Sequence, residues 1–147
     1  MEQRYFDDIE LGDEFEEQQQ PTLEQVQQYF ELTAAPGGGE GDGRFNSEEG
    51  VRRSLGLDRP IVPGAMTFAI MSRVVTDWIG AQGRLHSLDI SFRRPVQQGD
   101  VLRISGLVTG TSDEDGPRVM LDVFMANERG ERPLQGTAVV ELPRRPA

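Results

Sequence analysis

At 147 residues, with 36% hydrophobic and 27% charged side chains, the chain reads as one ordinary folded domain spanning residues 1–147. Twenty-five acidic residues against fifteen basic ones leave a formal charge of −10, which disfavours long-range attraction to nucleic acid or an anionic membrane, a local basic patch apart. Every basic residue is an arginine, there is no cysteine and His86 is the one histidine, so Schiff-base lysine chemistry, disulfides, thiol nucleophiles and multi-histidine metal sites are excluded.

Met1 to Asp8 has no apolar stretch of the signal-peptide kind, and residues 8–20 read as a short extended segment with a polar lead-in. Thr22 opens a helix, with Gln25 placed to complete a capping box, and Leu23, Val26, Tyr29, Phe30 and Leu32 give that helix an apolar side. Ala34 to Gly39 ends it in a glycine-rich loop, where five of the seven residues 37–43 are glycine. Ser47 with Glu48 and Glu49 suggests the capped, acidic first turn of a short helix ending at Leu55-Gly56. Ile61 to Ile79 is the most apolar stretch, but Pro63, Gly64, Ser72, Arg73, Thr76 and Asp77 break it, so it predicts a buried helix rather than a membrane span. A helix apolar round most of its circumference must be covered on several sides, and Phe68, Met71 and Trp78 lie on it at core spacing.

Strands follow. Leu85 to Phe92 alternates, placing His86, Leu88, Ile90 and Phe92 on one face, and 101–108, 119–125 and 134–142 are further strands separated by Gly-, Asp- and Pro-rich turns. A long apolar helix followed by a strand meander predicts an α+β fold in which an antiparallel sheet wraps around a central helix. One chain of this length barely covers such a helix, so a dimer that extends the sheet edge to edge is expected. A soluble, cytoplasmic protein without a membrane partner is the default expectation.

Three stretches resemble the MaoC-like enoyl-CoA hydratase/dehydratase family. Asp58-Arg-Pro-Ile-Val-Pro-Gly-Ala-Met-Thr67 is similar to the "G-R-P-I-A-H-G-M-x-T" stretch that opens the family's central helix. Ile90 to Asp100 resembles its "F-x-x-P-V-x-P-G-D" strand and turn, and Tyr5 to Asp13 resembles its usual start. The resemblance implies a hot-dog fold and an acyl thioester, carried by coenzyme A or an acyl carrier, as ligand. Its carbonyl would face the entry turn Pro63-Gly64-Ala65, where a helix start carries free backbone N–H donors and partial positive charge. It also implies an Asp and a His in "D-x-N-P-x-H" that hold a water and move its proton.

The family's spacing places Gly41 at the Asp position, Gly43 and Arg44 at the Asn and Pro positions, and Asn46 at the His position; a second family His falls on Pro63. Asp42 is one residue off and could be presented by a slide of the glycine loop, or be a solvated turn residue. Asn46 can orient a water or satisfy local backbone, but its amide does not titrate. His86 reads as a satisfied histidine at the core edge rather than a catalyst, and Glu48 and Glu49 as a capped turn rather than a water-activating pair. Of Arg93 and Arg94, adjacent on a strand and therefore on opposite faces, at most one can meet the phosphates of a coenzyme A carrier, and Arg94 is the candidate. No metal or redox cofactor is indicated.

Three functions fit. One is a catalytically degenerate subunit that shapes the acyl tunnel for an active homologous partner, in a homodimer or heteromer. The others are an active hydratase/dehydratase using Asp42 and Asn46, or a repurposed hot-dog enzyme such as a thioesterase or an isomerase/cyclase on a polyketide-like chain. The first is favoured.

Overall fold

The computed structural model describes residues 2–33, 49, 52 and 56–147. A short 3-10 turn at Phe6–Asp8 leads into strand β1 (Glu14–Gln19), followed by helix α1 (Leu23–Thr33). The predicted capping box is formed: the Gln25 N–H donates to Thr22 Oγ1 at 3.1 Å, and the Thr22 N–H donates to Gln25 Oε1 at 3.0 Å. The apolar side of α1 is narrower than its sequence suggests. Val26 is fully buried and Phe30 packs on the core, but Leu23 and Leu32 are 54% and 86% exposed. The expected helix before Gly56 falls mostly outside the described residues; Glu49 and Arg52 are helical, and the Gly56 N–H closes onto Arg52 O at 3.1 Å.

Strand β2 (Ile61–Val62) leads directly into the central helix α2 (Gly64–Ile79), and β3 (Arg84–Phe92), β4 (Val96–Gln97), β5 (Leu102–Ser112), β6 (Arg118–Ala126) and β7 (Leu134–Glu141) follow. β1, β5, β6, β7 and β3 form, in that order, one antiparallel sheet, while β2 pairs with β4 in a separate two-stranded ribbon.

Strand alternation puts Ile104, Val108, Val119, Leu121, Val123, Met125, Ala138 and Val140 on the inner face, packed against Met71, Val74, Val75, Trp78 and Ile79 of α2. Each large side chain buried this way contributes about 1.5–3 kcal/mol. One row across that face, Phe15–Gly106–Val123–Gly136–Ile90, contains two glycines in register. The Phe15 ring crosses Gly106 to stack on Trp78, with centroids 4.7 Å apart, and the β3 backbone lies directly over Gly136. Missing side chains at alternate positions let the sheet curl around the helix.

Two expectations are corrected. Phe68, expected in the core with Met71 and Trp78, is only half-buried and lies outside the core cluster, on a helix side where Gly64, Ala65, Ala69, Arg73 and Thr76 are exposed, as expected of a helix that one chain barely covers. His86 does not share the face of Leu88, Ile90 and Phe92, because the pairing of β3 with β7 shifts between Leu85 and Ser87. His86 is the extra residue of that bulge, which turns it off the inner face. At the far end of the molecule the two chain ends are clasped. The Phe6 N–H donates to Pro143 O at 2.9 Å, Arg145 pairs with Asp8, and the Arg144 and Arg145 guanidinium groups lie over the Phe6 and Tyr5 rings.

Candidate functional site

The start of α2 is built around Pro63, whose φ of −55° and ψ of 141° turn the chain from strand into helix. Its carbonyl oxygen accepts from the N–H of Met66 at 3.0 Å and of Thr67 at 3.1 Å, and the buried Thr67 hydroxyl donates to Gly64 O at 2.9 Å. The N–H groups of Gly64 and Ala65 have no backbone or side-chain acceptor among the described residues, and both residues are exposed. No acidic side chain occupies the first turn to compete for them. Phe92, at the end of β3 and 53% exposed, stands beside them; a Cβ added to Gly64 would lie 3.4 Å from its ring. Two free donors at the positive end of a helix, walled by an aromatic ring, can hold the oxygen of a carbonyl whose remaining chain is apolar.

Two arginines converge on a buried carboxylate next to the ribbon that leads into this turn. Asp100, fully buried, accepts from Arg59 Nη2 at 2.8 Å, Arg129 Nη1 at 3.0 Å and the Gln97 N–H at 3.0 Å. Burial opposes its charge, but Arg129, the Gln97 N–H and Arg59 outweigh that and hold the carboxyl below its ordinary range. Arg129 also pairs with Glu131 at 3.0 Å, and Glu131 with Arg94 at 3.1 Å. Hydrogen bonds from the Asn127 amide and Arg129, with the charge of Arg94, lower the Glu131 carboxyl in turn.

Pro63, Gly64 and Ala65, consecutive in the chain, form the entry to α2. Asp42 and Asn46, with Gly41, Gly43 and Arg44, lie outside the described residues. Arg94 follows β3 with its side chain 62% exposed, and its charge is shared with Glu131. His86 is satisfied, 3.0 Å from Glu141. It lies six residues from Phe92 along β3, about 20 Å at strand rise. The sequence offered no sign of the Arg59–Asp100–Arg129 cluster: Arg59 and Asp100 stood inside the two motif-like stretches, but their meeting across 41 residues follows no local pattern.

Concavities among the described residues include two that do not touch this turn. One of about 360 Å³ sits on the outer sheet face between Glu16, Arg103, Leu107 and Phe124, and one of about 240 Å³ near Trp78, Tyr5 and Arg145 at the opposite end of α2. Both are rimmed by charged side chains, and neither includes Gly64 or Ala65. Among the described residues no His, Asp and Glu side chains are grouped to hold a metal ion, and no helix is long and apolar enough to cross a membrane.

Comparison with known proteins places this geometry in context. A MaoC-like dehydratase from Rhodospirillum rubrum is 25% identical over 98% of this chain and 99% of that one, with a TM-score of 0.72. An (R)-hydratase from A. caviae involved in PHA biosynthesis superimposes with a TM-score of 0.78 at 22% identity, covering 92% of this chain and 98% of that one. The ChsH1-ChsH2 complex from Mycobacterium tuberculosis contains a chain of the same fold, with a TM-score of 0.72 and 18% identity over 90% of this chain and 97% of that one. A search of curated proteins finds no match. The sheet-around-helix architecture is therefore the hot-dog fold. Residues 49–123, just over half of the chain, match the family described as "MaoC like domain", and the protein belongs to that family of hot-dog hydratases and dehydratases.

Proposed function

We propose that this chain binds an acyl thioester, with the carbonyl oxygen held by the Gly64 and Ala65 amides, and serves as the tunnel-shaping member of a pair of hot-dog subunits whose other member supplies the proton-transfer groups. Hydration of an enoyl thioester adds water oxygen at the β-carbon and a proton at the α-carbon, and negative charge collects on the carbonyl oxygen between these events. Preorganised donors at that oxygen are worth roughly 10²–10³ in rate each. The proton movements need a titratable group close to the ligand. The observation that carries the degenerate reading is the position of the sole imidazole: His86 is bonded to Glu141, about 20 Å along β3 from Phe92, the ring beside the amides. Asn46, at the family's histidine position, carries no titratable group.

An edge-to-edge pairing through β3, the strand that ends the sheet beside Phe92, would complete the cleft next to Gly64. A homologous subunit with an intact "D-x-N-P-x-H" would then place its dyad across it, as the two-component composition of the similar Mycobacterium tuberculosis complex suggests. The reading calls for no metal or redox cofactor, and either coenzyme A or an acyl carrier protein can present the thioester, with Arg94 at the carrier side.

The test is hydration of crotonyl-CoA and longer enoyl-CoAs. The purified chain alone is expected to be inactive, and activity is expected once a homologous subunit with the intact motif is added. Hydration by the chain alone that Asp42→Ala abolishes would replace this reading with that of a self-sufficient hydratase. Release of free thiol from saturated acyl-CoAs would replace it with a thioesterase.

A further inference from the structure

We infer that Asp100 is the positioning residue of the acyl-thioester site: its buried carboxylate, acting through Arg59, sets where the Gly64 and Ala65 amides point. This rests on the reading of those amides as the carbonyl-binding donors. A buried carboxylate is costly unless its lone pairs are used, and here they are. Oδ1 accepts from Arg59 and Arg129, and Oδ2 accepts from Arg129 Nη2 at 3.3 Å and the Gln97 N–H at 3.0 Å. The second arm of the Arg59 fork donates to Gln98 O at 2.8 Å, and the Gln98 N–H returns to Pro60 O at 2.7 Å. Gly99, at φ 89°, lies so close that a Cβ there would come within 3.0 Å of Arg59 Nη1.

Residues 59 to 62 are therefore bonded, one after another, to residues 96 to 100, ending in the ribbon pairs Ile61↔Gln97 and Val62↔Val96. Between the Arg59 anchor and the Gly64 N–H stand two prolines with fixed φ, so a shift of the anchor passes to the amides with little slack. Arg129 reaches the same carboxylate from the β6–β7 turn and touches nothing between residues 59 and 64. The two arginines thus separate two roles: Arg129 stabilises the carboxylate, and Arg59 transmits its position.

The experiment compares two ligands of the full chain by calorimetry, butyryl-CoA and its thioether S-butyl-CoA, which lacks the carbonyl oxygen, with thermal melts of the same samples. Two amide donors should favour the thioester by about tenfold in the unmodified protein. Arg59→Lys, which keeps the charge but loses the two-acceptor fork, and Asp100→Asn should reduce that preference to about twofold while leaving thioether affinity unchanged. Arg129→Lys should lower the melting temperature and keep the tenfold preference. If Asp100→Asn does not fold, Arg59→Lys decides. Retention of the full preference in Arg59→Lys, or a parallel loss of both ligands that tracks the melting temperature, would overturn the positioning role. Equal affinity of the unmodified protein for both ligands would instead overturn the reading of the amides, and the positioning role with it.

Discussion

Gly136→Ala is the sharpest test of how the sheet is shaped. Gly136 lies on β7 between Val123 of β6 and Ile90 of β3. A Cβ there would overlap the Asp89 carbonyl oxygen and come within 2.9 Å of the Asp89 carbonyl carbon and 3.0 Å of Ile90 Cα. These are backbone atoms, so no rotamer change relieves the overlap; β3 must retreat by roughly an ångström, which stretches the flanking ladder bonds out of range. Loss of two such bonds costs about 2 kcal/mol, and partial exposure of Ile90 and Leu88 adds about 1–2 kcal/mol. Relief of the glycine's entropic penalty returns roughly 0.5–1 kcal/mol. A net loss near 3 kcal/mol lowers Tm by about 6–12 °C for a chain of this size. Circular-dichroism melts should show it, and amide exchange should accelerate over Leu88–Phe92 while β5 and β6 keep their protection. A Tm within 2 °C of the parent with unchanged exchange in β3 would refute the close-approach explanation.

Two further outcomes follow from the same coordinates. Thr22→Ala removes the side-chain half of the capping box and should cost about 1 kcal/mol; an unchanged melt and unchanged exchange in α1 would show the box to be idle. Burial opposes the Asp100 charge, but Arg129, the Gln97 N–H and Arg59 hold its carboxyl below the ordinary aspartate range, so its contribution to stability is fully present above the unfolded-state value and is lost as pH falls through the lower folded one. Urea midpoints between pH 6 and pH 2.5 should therefore fall more steeply below pH 4 for the parent than for Asp100→Asn, and parallel curves would contradict it.

The sequence announced those features whose cause is local. Thr22 and Gln25 stand three apart because a cap requires it, and Pro63-Gly64 before an apolar run marks a helix start. The alternating strands were equally readable, since the pleat has a fixed period. Errors arose where distant pairing decides. The bulge that turns His86 outward follows from the register of β3 against β7, which no run of residues 85–92 encodes. Leu23 and Leu32 lie on a helix whose neighbours leave them in solvent, and periodicity says nothing about neighbours. Nothing in the sequence marks Gly106 and Gly136 as the points that the Phe15 ring and the β3 backbone cross. Arg94 is the sequence's candidate for the carrier phosphates, and the Glu131 that shares its charge lies 37 residues away.

The clasp between Phe6–Asp8 and Pro143–Arg145 has a practical consequence. Because Phe6–Asp8 and Pro143–Arg145 sit side by side, a short glycine bridge between these segments closes the fold into a ring that can be cut open again in the Asp113–Gly116 hairpin turn. Such a rewired polypeptide keeps every strand neighbour and brings its new ends out beside the clasp, since Arg144 pairs with Asp113 and the Leu142 N–H donates to Pro117 O; a fluorescent reporter attached there stands at the other end of the sheet from Phe92 and the start of the central helix.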